Sequence, residues 1–262
     1  MAMKRIILII GLTCIAACSD ISSDIVLHSK GIAGEHTPVP IDTEGNIYGY
    51  YEYLPQNFKK DDTKKIPLIF FWNGQNAITG DGNNELDNLL IQGLPNLIEE
   101  GNHFPAIIIS GMLPKWNKSA IHPFVEYILQ RYAQHIDTKR IYMTGFSAGG
   151  GVTLRYISKH PEAFAAMVPI APAAQPPESN QPSSAMSRVS SWFFHNSGDM
   201  TVEIWRSNIW HKALKEKGGD HKITRPDLDS HYAWQQTYSN PEMWDWLLSK
   251  SKATRVMGIQ NE

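Results

Sequence analysis

The segment KRIYMTGFSAGGG, residues 139 to 151, constrains the fold more than any other part of the chain. An apolar run meets five small residues gathered around Ser147: Gly145, Ala148, Gly149, Gly150 and Gly151. Glycine weakens a regular element by roughly 0.5–1 kcal/mol relative to alanine, so such a cluster reports a backbone constraint. The residues that follow have helical spacing and run on until Pro161. Strand, G-x-S-x-G, helix is the pattern of a nucleophile elbow. In that turn the residues two before and two after the serine must be nearly without side chains, which accounts for Gly145 and Gly149. Gly150 and Gly151 are expected to let the helix pack close to neighbouring strands. The elbow sets Ser147 at a helix N-terminus, where free N–H groups and the helix dipole favour negative charge. The N–H of Ala148 is then one expected oxyanion donor. Without the flanking strand and helix, G-x-S-x-G would mark only a glycine-rich turn with an incidental serine.

A serine hydroxyl is a poor nucleophile near neutral pH, and needs a base and an orienting carboxylate. On this scaffold they follow the serine as acid, then histidine. WFFHNSGDMTV supplies Asp199 just after a later strand. Its rivals fit less well: Glu203 falls in the next helix, Asp220 follows paired glycines, and Asp227 and Asp229 crowd the histidine loop. Of the histidines beyond Asp199, His231 alone lies in a loop after the last strand, where a base can swing over Ser147. His211 and His221 read as solvated surface histidines, and His195, at a buried strand end, as a satisfied core histidine. A second oxyanion donor is expected after LIFFWNG, from a backbone N–H near Gln75. Trp72, Trp116 and Trp234 are candidates to line the substrate side, against the commoner reading of a tryptophan as core.

The rest of the chain fits around that unit. NIYGYYEYLPQNF (46–58) reads as a strand at a sheet edge, and KKIPLIFFWNG (64–74) and FPAIIISG (104–111) as buried strands. Residues 83–101 have helical spacing interrupted near Gly93 and Pro95, and 122–137 put Phe124, Ile128, Leu129 and Tyr132 on one face. Further strands are expected at 165–173, 190–199 and 221–231, with helices at 203–219 and 240–250. Asn240 and Pro241 stand as cap and first residue of the last helix. Strands alternating with helices from residue 64 predict an α/β fold: one domain, a mostly parallel central sheet and helices on both faces. The 262 residues, 42% hydrophobic, suffice for one substantial core. A net charge of -2 without basic runs argues against nucleic acid as a partner.

The first 18 residues, MAMKRIILIIGLTCIAAC, read as a signal peptide: Lys4 and Arg5, an apolar run too short to span a bilayer, then small residues before Cys18. IAAC resembles the bacterial lipoprotein box, which implies lipid on Cys18 and a membrane partner. An ordinary secretory signal is the alternative. Residues 19–36 are polar and small and read as a tether, leaving 37–262 as the domain. With Cys14 lost and Cys18 lipidated, the mature fold has no disulfide. The expected location is the bacterial cell envelope outside the cytoplasm, periplasmic or surface-exposed.

YGYYEYLP, PLIFFWNGQ, IYMTGFSAGGGVTLRYISKHPEAFAAMVPIAPA, WFFHNSGDMTV and SHYAWQQTYSNPEMWDWLL together resemble the α/β-hydrolase superfamily. More narrowly they resemble the secreted carboxylesterase/phospholipase-like group with its polyhydroxybutyrate-depolymerase and feruloyl-esterase types. The resemblance covers roughly residues 45–250 and implies Ser147 as nucleophile, Asp199 as acid and His231 as base. Two positions depart from that group: Asn73-Gly74 and His195-Asn196 stand where it usually has His-Gly. Asn73 is expected to brace the oxyanion loop by hydrogen bonding instead. The activity implied is serine hydrolysis of carboxylic esters, small or polysaccharide-linked, through an acyl-enzyme. A serine peptidase on the same scaffold and a catalytically silent binding lipoprotein are the alternatives. No metal is implied, since no ligand spacing stands out, and no dinucleotide, since GFSAGGG lacks GxGxxG spacing. The sequence carries no sign of an oligomeric state.

Overall fold

The apolar runs become one eight-stranded sheet in a computed structural model that describes residues 32–40, 49–75, 86–112, 118–175 and 182–252. In chain order the strands are β1 (His36–Val39), β2 (Tyr50–Tyr53), β3 (Ile66–Trp72), β4 (Ile107–Gly111), β5 (Ile136–Phe146), β6 (Ala166–Ile170), β7 (Ser190–Phe194) and β8 (His221–Thr224). Across the sheet they run β1-β2-β4-β3-β5-β6-β7-β8. The pairs from β4 to β8 are all parallel, and β1–β2 and β2–β4 are antiparallel. The helices are α1 (Gly93–Glu99), α2 (Ile121–Arg131), α3 (Ala148–Lys159), α4 (Trp205–Glu216), α5 (Trp234–Tyr238) and α6 (Pro241–Ser249).

Successive residues of a strand face opposite sides, and β3 shows what each side meets. Leu68, Phe70 and Trp72 join a core with Val125 and Ile128 of α2, Val152 of α3 and Leu214 of α4. Ile69 and Phe71 join another with Leu94 of α1, Trp234 of α5 and Met243 of α6. The sheet is thus covered on both faces, and its central strands are buried on both, which is why they read as continuous apolar runs. At α6 the cap is as expected: Asn240 Oδ1 accepts the Glu242 N–H at 2.9 Å.

Several expectations change. The strand in 46–58 is not an edge, because β1 pairs outside it. His36, assigned by sequence to the tether, already belongs to β1, and the Gly34 N–H donates to the Leu54 carbonyl at 2.9 Å. The helix expected over 122–137 stops at Arg131, and Ile136 starts β5. The interruption expected near Gly93 is kept: there the chain passes from a 3-10 turn (Leu86–Ile91) into α1. Gly93 has φ +73°, and a Cβ there would stand 2.1 Å from the Phe71 ring. Both edge strands are four residues long; β1 carries Pro38, and in β8 the Lys222 ammonium lies 4.5 Å over the Trp192 ring.

Candidate active site

Ser147 joins the end of β5 to the start of α3 with φ +55° and ψ −116°. L residues avoid that region, and neighbours hold it there. The Ser147 N–H donates to the Ile170 carbonyl at 2.8 Å, and its own carbonyl accepts from Gly151 at 3.0 Å and Ala173 at 2.8 Å. The steric reading of the glycines is visible as distances. A Cβ on Gly145 would stand 2.6 Å from the Gly149 backbone, and one on Gly149 would stand 2.0 Å from the Trp72 carbonyl oxygen. Gly150 and Gly151 bring α3 against the carbonyls of Ile170 and Ala173, where a Cβ would lie at 2.9 and 2.8 Å. Ala148 opens α3, so its N–H is among the free donors of a helix start.

Asp199 and His231 meet. His231 Nδ1 lies 2.6 Å from Asp199 Oδ2, and the Asp199 side chain is fully buried. Its other oxygen, Oδ1, accepts the backbone N–H groups of Thr201 at 2.8 Å and Val202 at 2.9 Å. Burial pushes the carboxyl pKa up, but hydrogen bonds from His195, His231 and the Val202 N–H outweigh it and hold it well below the ordinary range. The aspartate is therefore ionised and aimed. The His231 ring packs against Phe146, the residue before Ser147, with centroids 4.7 Å apart. The imidazole thus sits beside the elbow.

Three of the four rival acids are occupied elsewhere. Asp220 binds the Trp246 indole and Lys250, Asp227 accepts from the Ser197 hydroxyl, and Glu203 accepts from the Trp205 indole. His195 is the satisfied core histidine expected, with Nδ1 2.7 Å from the Ser207 hydroxyl and Nε2 2.7 Å from the Val202 carbonyl. It also adds to the site, since Nε2 lies 3.3 Å from Asp199 Oδ2. His221 corrects the sequence reading: it is buried, with Nδ1 2.8 Å from the Ser191 hydroxyl, because the loop before β7 closes over it. His211 is half-buried, its Nε2 3.3 Å from the His221 carbonyl. Trp72 and Trp234 are buried in the two cores, and Trp116 lies outside the described residues.

Gln75 is exposed and ends the described part of the turn after β3. The preceding Gly74 faces Phe146 so closely that a Cβ would stand 3.1 Å from the ring, which sets the turn against the elbow. The brace expected from Asn73 is not made by its amide N–H2 among the described residues: Nδ2 is buried with no hydrogen-bond partner there. Gln92, beside Gly74, likewise leaves Nε2 buried and without a partner among the described residues. Asn196 was not legible as a site residue, because distant backbone, the Ser230 carbonyl, brings it into place. Cys18 lies outside the described residues.

A parallel sheet with an antiparallel start, a strained serine between strand and helix, and a buried aspartate bonded to a loop histidine define the α/β-hydrolase fold. Comparisons agree. Residues 119–237, a span that includes Ser147, Asp199 and His231, match the family described as serine aminopeptidase, S33. Among solved structures, the chain is similar to a thermostable esterase at 25% identity, with TM-score 0.64 over 84% of this chain and 64% of that one. It therefore spans less than two thirds of that esterase's length. It is also similar to the ferulic acid esterase of Anaeromyces mucronatus solved with ferulic acid, at 16% identity and TM-score 0.58, covering 82% of this chain and 90% of that one. Pyrococcus horikoshii acylaminoacyl peptidase follows at 14% identity and TM-score 0.55, covering 84% of this chain and 42% of that one. No curated protein matches the chain in sequence.

Proposed function

We propose that the protein is a serine hydrolase that cleaves carboxylic esters through an acyl-enzyme. Ser147 Oγ attacks the ester carbonyl carbon while His231 Nε2 takes its proton. Asp199 holds the imidazole and stabilises its charged form. The N–H groups of Ala148 and Gln75 receive the developing oxyanion. Collapse of the tetrahedral adduct breaks the ester C–O bond, and the alcohol leaves with the proton from His231. Water, activated by the same imidazole, then releases the acid and restores Ser147. The observation that carries this reading is the His231 imidazole, 2.6 Å from Asp199 at Nδ1 and packed against the neighbour of Ser147. Similarity to a thermostable esterase supports the choice of an ester bond. Small and polysaccharide-linked esters are the proposed substrate class.

The test is labelling of the purified protein by a fluorophosphonate, with Ser147→Ala as control, followed by p-nitrophenyl acetate and butyrate against peptide anilides. Folded protein that resists the probe refutes the reading. A second reading, a serine peptidase, is favoured by the family match over residues 119–237; clear preference for the anilides would establish it. We also propose that the chain is anchored by lipid on Cys18 at the cell envelope. Metabolic labelling with a fatty acid, lost in Cys18→Ala, tests that separately.

A further inference from the structure

The loops that follow β7 and β8 bear Asp199 and His231, and they run side by side. The His195 N–H donates to the Thr224 carbonyl at 3.1 Å, Ser197 to Pro226 at 2.8 Å and Gly198 to Leu228 at 3.2 Å. This backbone ladder ends at Leu228, short of the histidine. One buried side chain spans the remaining gap. Asn196, 1% exposed, donates from Nδ2 to the Ser230 carbonyl at 2.7 Å. That carbonyl belongs to the peptide bond leading into His231. A carbonyl can only accept, so the orientation of the amide is fixed. The Asn196 Oδ1 then accepts from Gln236 Nε2 on α5, and the Asn196 backbone carbonyl accepts the Asp199 N–H at 3.3 Å.

We propose that Asn196 is a positioning residue that fixes His231 relative to Asp199, by tying the end of β7 to the peptide before His231 and to α5. This rests on the catalytic reading above. Across the histidine, the Ser230 Oγ accepts the Tyr232 N–H at 3.1 Å. On its far side the Ala233 N–H donates to the His231 carbonyl at 2.8 Å, so the Ser230 tie completes a hold on both sides of one residue. The ring must keep Nδ1 on Asp199 while Nε2 faces Ser147, and a displacement of about 1 Å can cost on the order of 100-fold in rate.

The experiment compares wild type with Asn196→Gly and Asn196→Asp on p-nitrophenyl acetate, with active sites counted by exhaustive fluorophosphonate labelling. Asn196→Asp keeps the volume and an acceptor for Gln236 but cannot donate to Ser230. Both variants are expected to lose about 10- to 100-fold in kcat per labelled site, with KM within about twofold. The downfield proton resonance of the His231–Asp199 hydrogen bond is expected to broaden or move in both. A purely structural role would lower Tm and leave kcat per site and that resonance in place, and this result overturns the proposal. Should Asn196→Gly fail to fold, Asn196→Asp and Gln236→Leu decide by the same two readouts. A wild type that neither labels nor hydrolyses esters refutes the catalytic reading itself, a separate failure from an active wild type matched by an equally active Asn196→Asp.

Discussion

Replacing Asp199 by asparagine isolates one function of the site. The carboxylate accepts on both oxygens: Oδ1 from the Thr201 and Val202 N–H groups, Oδ2 from His231 at 2.6 Å and from His195 Nε2 at 3.3 Å. Backbone N–H groups cannot accept, so an amide at 199 must keep its oxygen toward Thr201 and Val202. Its NH2 then faces His231 Nδ1 and forces the proton onto Nε2. The imidazole would present a donor to Ser147 where an acceptor is needed. The corresponding change in a serine-protease triad costs about 10,000-fold in kcat, or about 5.4 kcal/mol. We expect a loss of that size here, with folding retained, because the loop hydrogen bonds on Oδ1 survive in weaker, neutral form. The assay is steady-state hydrolysis of p-nitrophenyl acetate with circular dichroism on the same samples. A kcat within about tenfold of wild type would refute the role given to Asp199.

Gly149→Ala forces a Cβ to 2.0 Å from the Trp72 carbonyl, so α3 must move off β3; a loss of about 3 kcal/mol or more is expected by urea unfolding. Gly101→Ala is its control: nothing lies within 4 Å and only the backbone penalty at φ +89° remains, about 1–2 kcal/mol. Because the Asp199 carboxyl is held below its ordinary 3.8, its stabilisation is complete above that pH and fades as pH falls through the folded value. Acid unfolding of Asp199→Asn should therefore show a shallower pH dependence below about pH 4, measured by fluorescence. Asn240→Ala removes the acceptor for the Glu242 N–H and is expected to cost about 1 kcal/mol, read as a lower Tm.

Local chemistry was legible where it acts over a few residues. G-x-S-x-G announced its turn because crowding between residues 145 and 149 is set by the turn itself. Asn240-Pro241 announced a helix start for the same reason. β1 was missed because HTPV is short, carries a proline and is a strand only by pairing with β2. Trp234–Tyr238 was missed as a helix because five residues make barely one turn, held by packing of Trp234 and Tyr238 in the core. The pairing of Asp199 with His231 was inferred from chain order. Asn196 looked only like a departure from a familiar pattern, since nothing nearby in sequence names Ser230 and Gln236 as its partners.

The two outer strands carry a consequence for the molecule at high concentration. An open sheet edge is a template on which another chain can add a strand and begin aggregation. Here one rim is interrupted by Pro38, which has no N–H to give, and the other is four residues long with a cation at Lys222. Copies crowded onto one surface would find neither rim receptive, and the fold would resist polymerising edge to edge.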